Sequence, residues 1–88
     1  SDTDDWVRVR AVEALAEKND GSLVGHLAPM LSDANTLVAI KVAEAMGRIG
    51  GPEAFQALLT GLNIQDADVQ QAVESAIESI QDSQGGLD

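Results

Sequence analysis

Eighty-eight residues, 44% of them hydrophobic, with no cysteine and a single histidine, describe one small domain that lacks disulfides and thiolate metal sites and must rely on dense, regular packing. Fifteen acidic against five basic side chains give a formal net charge of −10, which repels phosphate backbones and anionic lipid and sets nucleic acid and membranes aside as partners. No apolar run approaches the roughly 20 residues that cross a bilayer, and nothing at the start resembles a signal peptide; a cytoplasmic protein is expected, its acidity serving solubility, a high-salt cytoplasm or a basic partner.

A period of 31 residues organises the chain. Val7, Val38 and Val69 share it, as do Ala14, Ala45 and Ala76, and the bulkier Leu15, Met46 and Ile77. A fixed period of this length marks stacked copies of one supersecondary unit, here about two and a half copies containing five helices. The first helix is expected over 4–18, with Asp4 as its N-cap and Asn19-Asp20-Gly21 as its exit. The second, over 22–32, starts at Ser22 as cap and contains Pro29, whose ring should clash with the Gly25 carbonyl and kink it. Asn35 caps the third, over 35–49; Gly50 and Gly51 supply the left-handed turn that ends it, and Pro52 opens the fourth, over 52–63. Asp66 caps the fifth, over 66–81. The domain therefore spans 1–82, and 83–88, without periodic apolar content, reads as a flexible tail.

Asp4-Asp5-Trp6-Val7-Arg8-Val9-Arg10-Ala11-Val12-Glu13-Ala14-Leu15 resembles the second helix of HEAT-like repeats of the phycobilisome-lyase type, whose pattern is an acidic turn, Val-Arg, then Ala and Ala-Leu. Leu37 to Gly50, followed by Gly51-Pro52-Glu53-Ala54, is similar to the same family's passage from one repeat to the next. The likeness covers residues 2–81 and departs where Ala39 and Gln70 replace arginine and where Val42 and Val73 replace the first alanine. It implies an all-α fold, a right-handed α-α superhelix. The period and the likeness together suggest a non-catalytic protein-protein interaction scaffold or adaptor. Two other readings stay open: part of a bilin lyase or lyase-chaperone subunit, and a helical docking appendage of a larger enzyme.

At about 100° per residue, Val7, Ala11, Ala14, Leu15 and Lys18 share one arc of the first helix, matched by Val38, Val42, Ala45, Met46 and Ile49 in the third and by Val69, Val73, Ala76, Ile77 and Ile80 in the fifth. This arc is expected to face the partner helix. A second arc, Val9, Val12 and Ala16, becomes Ile40, Ala43 and Gly47 and then Gln71, Glu74 and Glu78, so the fifth helix is expected to be a polar C-terminal cap. The chain opens on the second helix of a pair, which leaves Trp6 either folded back on the core or exposed as an aromatic anchor. A third arc carries Arg10, Glu13 and Glu17, answered by Lys41, Glu44 and Arg48, with an i,i+4 pair expected between Glu44 and Arg48. The candidate partner-binding residues are these six with Trp6 and Leu37; the same ridge also reads as a solvated face.

Chemistry finds little support. Asp2, Asp4 and Asp5 are accounted for by the positive end of a helix, and His26 lies on an outer face without a second histidine or a cysteine. Ser22, Ser32, Ser75, Ser79 and Ser83 lack an activating histidine, and Gly50-Gly51 has no P-loop lysine. No catalytic residue, metal site or cofactor is expected. The expected partner is another protein, and the chain should be a monomer unless its open N-terminal end self-associates.

Overall fold

The computed structural model describes the backbone of residues 2–85 and the side chains of 4–82. Helix α1 spans Asp2–Glu17, α2 Val24–Leu27, α3 Thr36–Ile49, α4 Gly51–Gly61 and α5 Ala67–Gly85. Short 3₁₀ turns, Gly21–Leu23 and Ala28–Ser32, flank α2. No strand occurs among the described residues.

The capping chemistry explains most boundaries. Asn35 Oδ1 accepts hydrogen bonds from the backbone N–H of Leu37 at 2.9 Å and of Val38 at 3.2 Å, and Asp66 Oδ1 does the same for Asp68 at 2.9 Å and Val69 at 3.3 Å. Both expected caps are thus in place, one period apart. The first is not: α1 already runs from Asp2, so Asp4 lies inside the helix. Gly50 and Gly51 have φ of 71° and 88°, a region closed to residues with a Cβ except at a cost, and they turn the chain directly from α3 into α4. After α1 the left-handed residue is Asn19, with φ of 49°, and not Gly21. Ser22 is not a cap either. Asp20 takes that role, its Oδ1 accepting from the Ser22 backbone N–H and hydroxyl.

The second expected helix is the element that differs most. Only four of its residues are α-helical, and the chain tightens to 3₁₀ from Ala28, one residue before Pro29. Proline has no N–H to give and its ring crowds the preceding turn, so the expected kink becomes a change of helix type. The fourth helix is two residues shorter at its end than expected. The fifth runs on to Gly85 and so into the segment expected as a tail, of which 86–88 lie outside the described residues.

The helices form two layers. In the inner layer α1, α3 and α5 lie side by side, α3 in the middle. In the outer layer the 3₁₀ turn Ala28–Ser32 and α4 pack on α3, and α4 also covers α5. Leu27, Leu31, Ala54 and Leu58 from the outer layer meet Val38, Val42, Met46, Val69 and Val73 in one buried cluster. Among the described residues no polar or charged side chain is buried.

In α3 and α5 the first arc is buried, as expected, apart from the half-buried Ile49 at the end of α3. In α1 it is not: Val7 is 61% exposed, Ala11 and Ala14 are also exposed, and only Leu15 is half-covered. Helix α1 is held through its second arc instead, with Val9, Val12 and Ala16 buried against α3. Among the described residues, no outer-layer helix packs over α1, which leaves that arc uncovered.

Candidate partner-binding surface

The face of the inner layer turned away from the outer helices carries all eight expected site residues. On α1 the stripe is Trp6, Arg10, Glu13 and Glu17, and on α3 it is Leu37, Lys41, Glu44 and Arg48; the i,i+4,i+7,i+11 spacing holds each set on one side of its helix. Trp6 is 58% exposed and Leu37 43%. Trp6 therefore does not fold back on the core.

Electrostatics tie the two stripes together, though not through the expected pair. Lys41 Nζ lies 3.8 Å from Glu13 Oε2 on α1 and 3.7 Å from Glu44 Oε1 one turn along its own helix. Glu44 thus leans toward Lys41, and Arg48 makes no ion pair among the described residues. These contacts are long and largely solvated, so they orient side chains more than they stabilise the fold.

A stronger polar clasp sits at the helix starts. The Arg8 guanidinium donates from Nε to Asp33 Oδ2 at 2.8 Å and from Nη2 to Asp33 Oδ1 at 3.0 Å, and also reaches Asp5 Oδ1 at 2.6 Å. These bonds hold the Asp33 carboxyl below the usual carboxylate range and push Arg8 further up. Asp5 Oδ2 in turn accepts from Asn35 Nδ2 at 2.9 Å, and one repeat later Asp66 Oδ2 accepts from the Thr36 hydroxyl at 2.7 Å, which lowers the Asp66 carboxyl. The caps Asn35 and Asp66 are thereby each bound to the preceding inner-layer helix. Where Gln70 replaces arginine, it donates to the Leu62 carbonyl at 3.1 Å instead.

The stripe continues onto α5 as Asp68, Ala72, Ser75 and Ser79, none of which was expected on this surface. The 31-residue offset, applied once more to Leu37, Lys41, Glu44 and Arg48, lands on these four. Their small side chains next to the long ones of α3 leave a hollow of about 650 Å³ between the two helices. Ile40, Gly47, Ala72 and Ala76 line it with apolar surface, while Glu44, Arg48, Asp68 and Gln71 supply its polar groups. Gly47 lets α5 approach α3 closely here. A second hollow of about 350 Å³, between α1 and α3, is lined by Glu13, Glu17, Lys41, Glu44 and Arg48. Arg48 borders both.

Among the described residues, no group of three or more His, Asp or Glu side chains is placed to hold a metal ion, and no helix is long and apolar enough to cross a membrane. His26 is exposed on the outer layer. No curated protein matches the chain. The profile of the family described as HEAT repeats matches residues 1–78. With its period, its two helical layers and that match across most of its length, the chain belongs to the HEAT-repeat family.

Proposed function

We propose that the chain is a non-catalytic protein-binding module, and that the inner-layer face built from α1, α3 and α5 takes up a segment of another protein. HEAT repeats generally mediate protein-protein interaction, and the observation that carries the reading to this face is the hollow between α3 and α5. Its apolar floor suits an aliphatic side chain. The acidic Glu44 and Asp68 and the unpaired Arg48 offer charge at its lip. Trp6 on α1 and Leu37 on α3 add exposed apolar anchors on the same face, and tryptophan and arginine are favoured where binding energy concentrates. The non-catalytic part of the proposal is supported by the setting of the carboxylates: the glutamates are exposed, and the half-buried Asp33 and Asp66 are held in their charged form by Arg8 and Thr36 and not raised as a general acid would be.

A photo-crosslinking residue at Ser75 should capture a partner that the same residue at Gln56, on the outer layer, does not. Capture should weaken when Trp6→Ala, Lys41→Glu and Arg48→Glu are combined. Equal capture from both positions, or indifference to the triple variant, would refute the assignment of this face.

The finer likeness to phycobilisome-lyase repeats rests on Asp4–Leu15 and on Leu37 to Ala54, and the end of the second stretch, Ala45 to Ala54, forms the left-handed turn from α3 to α4. That role is conformational and makes no demand on a chromophore. On the adaptor reading, adding a bilin leaves its visible spectrum unchanged; a shifted, saturable absorbance change would favour the lyase reading instead.

A further inference from the structure

The hollow between α3 and α5 is polarised along its length. The two helices run in the same direction, since the Thr36 hydroxyl at the start of α3 donates to Asp66 just before α5, and Gly47 near the end of α3 meets Ala76. Asp68 therefore marks one end of the hollow, and Arg48 with Ser79 the other. Asp68 and Ser79 stand eleven positions apart on α5, about 16 Å at the helical rise.

The charges at the two ends are opposite and unpaired. The Asp68 carboxylate is exposed and meets no cation among the described residues. Arg48 is exposed as well, and Glu44, one turn before it, is drawn to Lys41 instead. The Ser75 and Ser79 hydroxyls make no hydrogen bond among the described residues. Between the ends the floor is apolar, formed by Ile40, Gly47, Ala72 and Ala76. An aliphatic side chain seated over Gly47 lies next to the guanidinium of the following residue.

A segment that answers this pattern carries an aliphatic group and a carboxylate side by side, with a cation about 16 Å away. The last residue of a polypeptide puts the first two on a single Cα. Its carboxylate matches the planar fork of an arginine, and the two hydroxyls can donate to the same oxygens. At about 3.3 Å per extended residue, a lysine or arginine four positions before the end spans about 13 Å of backbone, and its long side chain covers the rest. The net charge of −10 favours a segment that is otherwise neutral or basic. We infer, on the assignment of this face to a partner segment, that the hollow holds the extended C-terminus of another polypeptide, with a terminal Val, Leu or Ile on the floor, its α-carboxylate on Arg48, and a basic residue four positions upstream at Asp68.

The probes are peptides Gly-Gly-Lys-Xaa-Xaa-Xaa-Leu, Xaa being any residue, immobilised through their N-termini and made as free acids, as C-terminal amides, and as amides extended by one glutamate. The fluorescently labelled full chain should bind members of the acid set, and those members should weaken by about tenfold or more when remade as amides. Arg48→Glu should abolish the preference for acids and Arg48→Lys retain part of it. Asp68→Lys should turn the preference at the fourth position before the end from lysine to glutamate. Both sites are exposed, so far-UV circular dichroism should not change. Absence of capture from the acid set, a preference for acids that survives Arg48→Glu, or equal capture of acids and amides would overturn the inference. So would equal capture of the glutamate-extended amides, which gives the hollow to an internal acidic residue. If a photo-crosslinker at Ser75 still takes a partner in any of these cases, the face stands as a binding surface and only its assignment to a chain end falls.

Discussion

The close approach of α3 and α5 at Gly47 makes the sharpest prediction. A Cβ built on Gly47 would stand 2.8 Å from Ala76 Cβ and 3.0 Å from Ala76 Cα, whereas carbons in contact rest about 3.5–4.0 Å apart. Helix α5 must therefore withdraw by roughly 0.7–1.2 Å to admit a single methyl group, because the obstructing atoms belong to the backbone and its first side-chain carbon. Overpacking of this kind costs about 1–3 kcal/mol, against a gain of about 1 kcal/mol from replacing a mid-helix glycine by alanine. Gly47→Ala should thus be net destabilising by about 1 kcal/mol. In urea unfolding followed at 222 nm, the midpoint should fall by roughly 0.5–1 M with an unchanged slope. Gly25→Ala is the matched control, since an added Cβ there meets nothing within 4 Å; it should stabilise by about 0.4–1 kcal/mol. Adding Ala76→Gly to Gly47→Ala removes the nearer clash, so the pair should be less destabilised than the two single changes summed, by about 0.5 kcal/mol or more. If Gly47→Ala stabilises as Gly25→Ala does, the close crossing, and with it the shape of the hollow beside it, is wrong.

Leu58→Ala, at a fully buried outer-layer position, should cost about 2–5 kcal/mol, a large share of the roughly 4–13 kcal/mol that a domain of this size commands, and calorimetry should find the variant partly unfolded near 37 °C. Asn35→Ala removes the acceptor for two backbone N–H groups and the donor to Asp5, and should cost about 1 kcal/mol in the same urea assay. The carboxyls of Asp20, Asp33 and Asp66 are all held below their ordinary values, chiefly by the Ser22 backbone N–H, the Arg8 guanidinium and the Thr36 hydroxyl respectively. Protons then bind the unfolded chain more readily than the folded one, so the stability these groups add is complete above about pH 3.9 and is lost as pH falls through their lowered folded values. An acid titration should show that loss, and Asp33→Asn should flatten it while leaving the Asn35 turn in place; an unchanged acid limb would remove the Arg8 clasp from the account.

What the sequence disclosed, and what it hid, follows from the range of the forces involved. The caps at Asn35 and Asp66 and the turn at Gly50-Gly51 were legible because each is decided within three or four residues, by an acceptor placed before free N–H groups or by a φ that only glycine tolerates cheaply. The end of the second helix was harder: Pro29 announced a disturbance, but whether the chain kinks or tightens to 3₁₀ depends on how Leu27 and Leu31 must both reach the core, which no local rule contains. The Glu44–Arg48 pairing failed for the same reason in electrostatic form. Spacing within one helix favoured it, yet Lys41 sits between Glu13 and Glu44 on neighbouring elements and draws Glu44 its own way. The partner-binding stripe was half read, because charge drew attention to α1 and α3, while the α5 share of it, Ala72, Ser75 and Ser79, is conspicuous only by being small. A hollow is made by what side chains leave out, and the one sequence signal for it was the period itself, carried a third time to positions where the side chains are short.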